Sequence, residues 1–235
     1  MKEKIRFFIS PYFLSRFYRL QSIKRIVKKY KIFGTVLDIG CGSKPYRSLF
    51  DNIKEYRGID FKDYSVNKDF PAGKPDYYFS DKYIKTLTLP FKNESFDNVV
   101  AFQVLEHHPN PQKLINEMFR IVKNKGYILL TTPFLGGIHE EPNDYQRFTK
   151  YGLIELFKLY KCELLEIIKQ GSLFSTISML LNESLNSFAA KNKFFYFISV
   201  LIYLPFFLFS YISFFLDMIF KSDKIFFNYL ILVKK

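Results

Sequence analysis

The stretch "TVLDIGCGSKPY", residues 35–46, decides the fold class. Its apolar start, "TVLDI", predicts a buried strand, and Gly40 and Gly42 predict a tight turn that lets a ligand approach the backbone. A dinucleotide fingerprint needs a third glycine three residues after the second, and Pro45 occupies that position. Asp38 stands beside the turn, where its carboxylate would repel a phosphate. The stretch therefore favours a ligand with a cationic group over a pyrophosphate.

Strands and helices alternate from residue 35 to residue 169. Predicted strands cover 35–39, 56–60, 96–102, 127–133 and 162–168, and predicted helices cover 111–126 and 150–160. This alternation predicts an α/β fold with a doubly wound, mostly parallel sheet. Ligands of such sheets bind outside the carboxyl ends of the strands, where the glycine turn lies. Asp60 ends the second strand, in the position from which an acid accepts hydrogen bonds from ribose hydroxyls.

Five stretches, taken in order, resemble the class I S-adenosylmethionine-dependent methyltransferases of the type 11-like group. They are "VLDIGCGSKPY", "YRGID", "LPFKNESFDNVVAFQVLEH", "LINEMFRIVKNKGYILLTTP" and the closing "NYLILVKK". Any one of them is weakly diagnostic, whereas the ordered set is specific. The resemblance implies S-adenosyl-L-methionine as the cofactor, a ligand with a ribose and a cationic amine but no phosphate. It also implies a seven-stranded, Rossmann-like methyltransferase sheet with its last strand in residues 224–235.

The resemblance also assigns cofactor-binding residues. Gly40 and Gly42 would form the cofactor turn, and Asp38 would face the methionine amino group. Asp60 would hold the ribose, and Gln103, just past the third predicted strand, would lie near the methionine part.

The adenine site departs from the pattern of the family. Many relatives carry an acid before a Leu-Pro-Phe motif, and that acid contacts adenine. The nearest acid here is Asp81, eight residues before Leu89, and Lys85 stands closer to the motif. Asp81 is therefore the cofactor-binding candidate at this end, and adenine recognition stays unassigned.

Two loops at the same sheet edge, residues 106–111 and 136–149, hold the candidates for the acceptor site. His107 aligns with a histidine that is common in relatives, where it is often structural, and His139 is the second candidate for a general base. The second loop resembles an element of bacterial methyltransferases encoded among surface-polysaccharide genes. Its predicted substrate-binding residues are His139, Asp144, Tyr145 and Arg147. No ligand spacing favours a metal site here, so none is predicted.

The net charge of +13 points to an anionic partner, and most of the excess lies in residues 1–34, with ten basic side chains and one acidic one. Helical spacing after Pro11 predicts a basic amphipathic helix. One interpretation is a helix packed on the domain with a solvated basic side. The other is a helix at an anionic membrane surface. No nucleic-acid reader motif is present, so no nucleic-acid partner is expected.

The tail contains 23 uncharged residues, 194–216, which is long enough for a transmembrane helix. A single crossing would put the last strand on the wrong side of the membrane. We therefore predict an insertion, residues 170–223, that dips into the bilayer with a bend at Pro205 or lies at its surface, with Asp217 and Lys221 returning to water. The alternative is a helical cap packed on the domain or on a partner.

These features predict four regions: a basic helix (1–34), a cofactor-binding core (35–169), a hydrophobic insertion (170–223) and the last strand (224–235). Two unclustered cysteines favour a reducing cytosol, so we expect a cytoplasmic protein at the inner face of the membrane. The expected function is methyl transfer to a membrane-associated acceptor such as a lipid-linked saccharide. The alternatives are a small soluble or quinone-type acceptor, a non-catalytic cofactor-binding module, and a nicotinamide oxidoreductase, which Pro45 disfavours.

Overall fold

A single mixed sheet organises the computed structural model, which describes residues 12–61, 73–79, 88–189 and 193–235, the last segment with side chains from residue 205 onward. The strands run in the spatial order β3-β2-β1-β4-β5-β7-β6. They are β1 (Gly34–Ile39), β2 (Ile53–Asp60), β3 (Tyr77–Tyr78), β4 (Phe96–Phe102), β5 (Val122–Pro133), β6 (Glu163–Gln170) and β7 (Asn228–Lys234). Pairs among β1 to β5 are parallel, and β7 is antiparallel to both neighbours. The predicted α/β fold and its seven-stranded, mostly parallel sheet are confirmed.

The central strands are apolar because both faces of the sheet are covered. Residues 36–39 of β1 are buried, as is almost all of β4. The closing strand β7 is buried from Asn228 to Val233, since it lies between β5 and β6 rather than at an edge. The prediction that the last residues return to the same sheet is confirmed.

Five helices are placed in the described part of the chain. They are α1 (Phe13–Lys29), α2 (Pro111–Ile121), α3 (Lys150–Phe157), α4 (Leu173–Ala189) and α5 (Lys193–Ile219). The Asn110 side chain caps α2 by accepting from the Lys113 N–H at 3.1 Å. Helix α3 ends three residues earlier than the sequence predicts.

The predicted end of α2 at Gly126 is wrong, because β5 already begins at Val122. Val122 pairs with Phe96, and the Lys123 ammonium lies 2.7 Å from the Asp97 carboxylate. A Cβ at Gly126 would lie 2.3 Å from the Asp97 carbonyl oxygen. The glycine therefore permits close strand packing instead of closing a helix.

Helix α1 packs its apolar side on the sheet. Ile23, Ile26 and Val27 are buried in one cluster with Val36 of β1, while basic side chains such as Lys24 remain exposed. The structure thus shows the helix packed on the domain. The alternative, in which this apolar face lies on a membrane, is wrong because the sheet already covers it.

Helices α4 and α5 form an antiparallel hairpin between β6 and β7. The Ser178 and Ser210 hydroxyls lie 2.8 Å apart across it, and the buried Asp217 carboxylate accepts from the N–H groups of Phe174 and Ser175 at 2.9 and 3.1 Å. Asp217 therefore caps α4 instead of returning to water as predicted. Pro205 lies inside α5, so the predicted re-entrant bend at this proline is wrong. No helix in the described ranges is both long and apolar enough to cross a membrane.

Candidate functional site

The glycine turn after β1 has two different glycines. Both adopt left-handed backbone angles, with φ of +67° at Gly40 and +49° at Gly42. A Cβ at Gly40 would lie 2.5 Å from a methyl group of Val104, whereas one at Gly42 would meet no described atom within 4 Å. Gly40 is therefore needed for packing, and Gly42 leaves its backbone open to a ligand.

Asp38 is almost completely buried at the carboxyl end of β1. Its Oδ2 accepts a hydrogen bond from the Tyr56 hydroxyl at 2.6 Å, but its Oδ1 has no partner among the described residues. Burial, assisted by the charge of Asp60, raises the pKa of Asp38 to about 8. A buried oxygen without a donor is rare in folded proteins. The ammonium of the cofactor's methionine part would supply both the donor and the opposite charge, so Asp38 fits the predicted cofactor.

Asp60 is buried at the end of β2, beside the turn. Its Oδ2 accepts from the Gly42 N–H at 2.5 Å and its Oδ1 from the Phe61 N–H at 2.7 Å. Burial raises the pKa of Asp60. Each oxygen retains a lone pair, so Asp60 can hold the turn and still accept from a ribose. That ribose role stays a prediction, and Asp81 lies outside the described residues.

An ion pair beside the turn, between the buried Lys44 and the partly exposed Asp76, was not anticipated from the sequence. The Lys44 ammonium lies 2.5 Å from the Asp76 carboxylate, which also accepts from the Gly58 N–H at 2.7 Å. The Lys44 charge acts to lower the pKa of Asp38, although burial outweighs it. A lysine within a glycine turn was the available signal. Its partner, 32 residues later, had no local signature.

Gln103 follows β4 with a φ of +59° and lines a cavity of about 900 Å³. Its amide donates to the Thr131 hydroxyl at 3.3 Å. His107, His139 and Glu140 line the same cavity. Burial raises the pKa of Glu140, and the charge of Asp60 adds to the increase. The cavity thus lies beside the predicted methionine end of the cofactor, where an acceptor is required.

Helices α1 and α4 complete the cavity. Arg16 and Arg19 of α1 contribute basic side chains, and Met179 and Leu180 of α4 contribute apolar ones. The N–H of Gly137 donates to Glu183 of α4 at 2.9 Å, which joins the second loop to the helical hairpin. The hairpin is therefore part of the candidate acceptor site.

The predicted substrate residues of the second loop bond mainly to one another. Arg147 donates to both oxygens of Asp144, at 2.6 and 2.7 Å, and holds the pKa of that carboxyl down to about 2. Asp144 also accepts from the His139 N–H at 3.0 Å. The half-exposed Tyr145 donates from its hydroxyl to Asn143 at 3.2 Å. The pair of Asp144 and Arg147 shapes the loop, and their contact with a substrate stays a prediction.

His107 and His139, predicted from separate loops, meet edge to face with ring centroids 4.7 Å apart. Glu106 joins them, since its Oε1 lies 3.9 Å from Nε2 of His107. Burial lowers the pKa of His107 and raises that of Glu106 to about 7. Glu106 was missed by the sequence analysis, and its only signal was its place beside His107.

Comparison with known proteins gives the same fold and a family. Residues 37–130 match a family described as "Methyltransferase domain". An uncharacterized protein of Methanocaldococcus jannaschii is 32% identical over 145 residues, which cover 59% of this chain and 60% of that protein. A sterol 24-C-methyltransferase of Candida albicans is 25% identical over 161 residues, 61% of this chain and 42% of that enzyme. The chain thus spans about 60% or less of the length of these relatives.

Solved structures support the fold alone. The structure of the [4+2]-cyclase SpnF superposes with a TM-score of 0.56 at 16% sequence identity. The match includes 92% of this chain and 81% of the cyclase chain. The comparisons support the general methyltransferase family, with S-adenosylmethionine as its methyl donor. They give no support to the narrower resemblance to surface-polysaccharide methyltransferases.

Proposed function

Because the chain belongs to the class I S-adenosylmethionine-dependent methyltransferases, we propose that it transfers the cofactor's methyl group to an acceptor held in the cavity of about 900 Å³. The main support for this proposal is that Gln103, at the predicted methionine end of the cofactor, lines this cavity. Methyl displacement requires a nucleophile that is held close to the sulfonium and in line with it. The cavity provides the space for that arrangement.

His107 and His139 are the candidates for removing the acceptor's proton. Both line the cavity, and burial keeps His107 in its neutral form, because it lowers the pKa of that imidazole. A neutral imidazole can accept a proton, whereas an imidazolium cannot.

We propose that the acceptor is membrane-associated, such as a lipid-linked saccharide or another cell-envelope glycan or lipid. The outer side of α5 supports this proposal, since it carries an apolar stripe whose members are each more than half exposed: Leu208, Ile212, Phe215 and Ile219. The exposed Lys221 and Lys224 follow the stripe and match anionic headgroups. A contiguous exposed apolar surface with a basic border is typical of peripheral membrane contact.

The hairpin links that stripe to the cavity. Helix α4 contributes Met179 and Leu180 to the cavity wall, and it packs along α5, which carries the stripe. An amphiphile at the membrane surface would therefore reach the cavity along the hairpin. The sterol methyltransferase relative, whose name gives a sterol as its acceptor, is consistent with such a substrate.

Incubation of the full chain with methyl-labelled cofactor tests the reaction, with a membrane lipid extract and a water-soluble extract as parallel acceptors. We expect label in the lipid fraction, identified by mass spectrometry as the methylated product. Label in the soluble extract alone would overturn the membrane acceptor and favour a small soluble one. Cofactor binding without label in either extract would favour a non-catalytic module.

Vesicle flotation tests the stripe. The double variant Phe215→Glu and Ile219→Glu should lose binding to anionic vesicles, whereas Leu159→Glu, at a leucine that is 76% exposed beyond α3, should retain it. Equal binding by both variants would contradict the proposed surface.

A further inference from the structure

Two histidines in the wall of the cavity and a buried glutamate beside them converge, although no spacing in the sequence unites them. Glu106, His107 and His139 each offer one ligand atom, and these atoms lie within 4.8 Å of one another. Glu106 and His107 follow β4, whereas His139 comes from the loop after β5. The two strands are parallel neighbours, so their carboxyl ends bring the three groups together.

Both imidazoles are oriented through Nδ1. Nδ1 of His107 lies 2.8 Å from the Asn143 carbonyl oxygen, and Nδ1 of His139 lies 3.1 Å from that of Gly137 and 3.4 Å from the Asp144 carboxylate. These partners are acceptors, so Nδ1 carries the hydrogen on each ring and Nε2 keeps its lone pair. Arg147 is farther from the His139 ring, at 3.5 Å, and donates to Gly137 and Asp144. Carbonyl and carboxylate groups orient metal-binding histidines in the same way.

Glu106 supplies the second observation that points to a ligand. Its side chain is fully buried, and its Oε1, on the side of His107, has no hydrogen-bond partner among the described residues. Its other oxygen accepts from Thr132 at only 3.3 Å. A second carboxylate, that of Glu140, lies 3.6 Å from Nε2 of His107. A buried carboxylate with so few donors, such as that of Glu106, calls for a compensating cation.

We propose that Glu106, His107 and His139 bind one divalent transition-metal ion, with Glu140 available as a fourth ligand. Two imidazole nitrogens and a carboxylate are a donor set of zinc and its first-row neighbours, whereas Mg²⁺ and Ca²⁺ prefer oxygen ligands throughout. Bonds of about 2.0–2.2 Å require the ligand atoms to draw together. His139 can move inward, since its side chain is 42% exposed on a loop.

The ion would face the cavity beside Gln103. An acceptor hydroxyl that takes an open position on it would have a lowered pKa and would lose its proton to solvent. The ion, which occupies Nε2 of both histidines, would then replace them as the group that activates the acceptor oxygen for attack on the methyl carbon, while the bond from that carbon to the sulfonium sulfur breaks. This consequence rests on the proposed function, whereas binding of the ion does not.

Calorimetric titration with Zn²⁺, after chelator treatment of the untagged full chain, tests the site. We expect one ion per chain and no comparable heat from Mg²⁺. Glu106→Gln and His139→Gln should each weaken Zn²⁺ binding by tenfold or more, and His139 is partly exposed, so its variant should fold. The matched control is His108→Gln, because His108 is outside the cluster and accepts from the Asn110 N–H at 3.1 Å.

Substitution of Co²⁺ gives a second readout, because its visible absorption reports nitrogen and oxygen ligands directly. The proposal is overturned if the chain binds no stoichiometric Zn²⁺, or if His139→Gln binds it as tightly as the unaltered protein. It is also overturned if His108→Gln loses as much affinity as His139→Gln. Zn²⁺ binding without methyl transfer would leave the site standing and contradict the proposed function. Methyl transfer by a chain that binds no Zn²⁺ would do the reverse.

Discussion

The Tyr56 hydroxyl donates to the Asp38 carboxyl at 2.6 Å, and this bond is the one hydrogen bond that the described residues give to the Asp38 side chain. Burial raises the pKa of Asp38 to about 8, and the Tyr56 bond works in the opposite direction by stabilising the carboxylate. The protonation of Asp38 is therefore governed first by its burial, and the hydroxyl of Tyr56 on the adjacent strand opposes that effect. An incoming ammonium would complete the set of partners.

Cofactor affinity should rise about tenfold per pH unit between pH 6 and about 7.5, because the empty site holds Asp38 protonated and binding the ammonium requires its carboxylate. The sign follows from a pKa that is raised in the empty site and falls when a cation binds. The slope should end near pH 8, where Asp38 ionises and the α-amino group begins to lose its own charge. Calorimetry across this range checks it. Asp38→Asn should bind the cofactor weakly, with an affinity that does not change over this pH range. An Asp38→Asn variant whose affinity still rises with pH would contradict the assignment.

Tyr56→Phe should weaken cofactor binding at pH 7 by roughly 10- to 100-fold, because a hydrogen bond to a charged group contributes about 1.5–3 kcal/mol. Without it the pKa of Asp38 rises further, so the pH dependence should shift upward. Tyr127→Phe is the matched control, since Tyr127 packs against the same core cluster. Unchanged affinity in Tyr56→Phe would show that this bond does not tune the site.

Substitutions at the two glycines should distinguish the packing role of Gly40 from the role of Gly42 in ligand access. Gly40→Ala combines left-handed backbone strain with a Cβ 2.5 Å from Val104, and we expect a loss of about 2–4 kcal/mol in the free energy of unfolding. Gly42→Ala has the strain alone, so about 1–2 kcal/mol is expected. Gly42→Ala should still weaken cofactor binding, because the methyl group narrows the open approach. Urea unfolding and calorimetry measure the two effects, and equal destabilisation by both substitutions would contradict the contrast.

The glycine turn and its strand could be predicted from the sequence because their signals are local. An apolar run, an acid and two glycines within a few residues define both the strand and the turn. The end of α2 shows the opposite case. Lys123, Lys125 and Gly126 look like a helix terminus, but pairing with Phe96 and Asp97, more than 20 residues earlier, makes this segment a strand.

The missed parts of the candidate site depend on contacts between distant segments. Lys44 meets Asp76 only because β2 and β3 bring the turn and that acid together. Glu106 and His139 meet because β4 and β5 are neighbours, although their separation in sequence resembles no ligand spacing. The polar contacts within the hairpin also join segments that are distant in sequence. Asp217 was predicted to return to water because it is charged, and its partners on α4 could not be identified from the sequence.

Asp217→Ala should lower the free energy of unfolding by about 2–3 kcal/mol, because it leaves two N–H groups at the start of α4, one buried and one partly buried, without an acceptor. Burial and the Asp217 carboxylate together raise the pKa of Tyr18 to about 12, so Asp217 also interacts with a side chain of α1. Asp217→Asn keeps one acceptor and should lose less. The control is Asp223→Ala, with an exposed side chain after the hairpin. Urea unfolding ranks the three variants, and equal stability in Asp217→Ala and the control would contradict the capping role.

Glu183→Ala should raise KM for the acceptor roughly 2- to 10-fold. The Gly137 N–H donates to Glu183 and holds the second loop against α4 at the cavity wall, and such a bond contributes about 0.5–1.5 kcal/mol. The cofactor Kd should not change, since Glu183 lies on α4, away from the glycine turn. Glu183→Gln keeps an acceptor oxygen and should behave nearly as the unaltered chain. Glu155→Ala, on the exposed side of α3, controls for loss of charge. Steady-state kinetics with the labelled lipid product separates the two constants, and an increase confined to the cofactor Kd would show that the hairpin serves the cofactor rather than the acceptor.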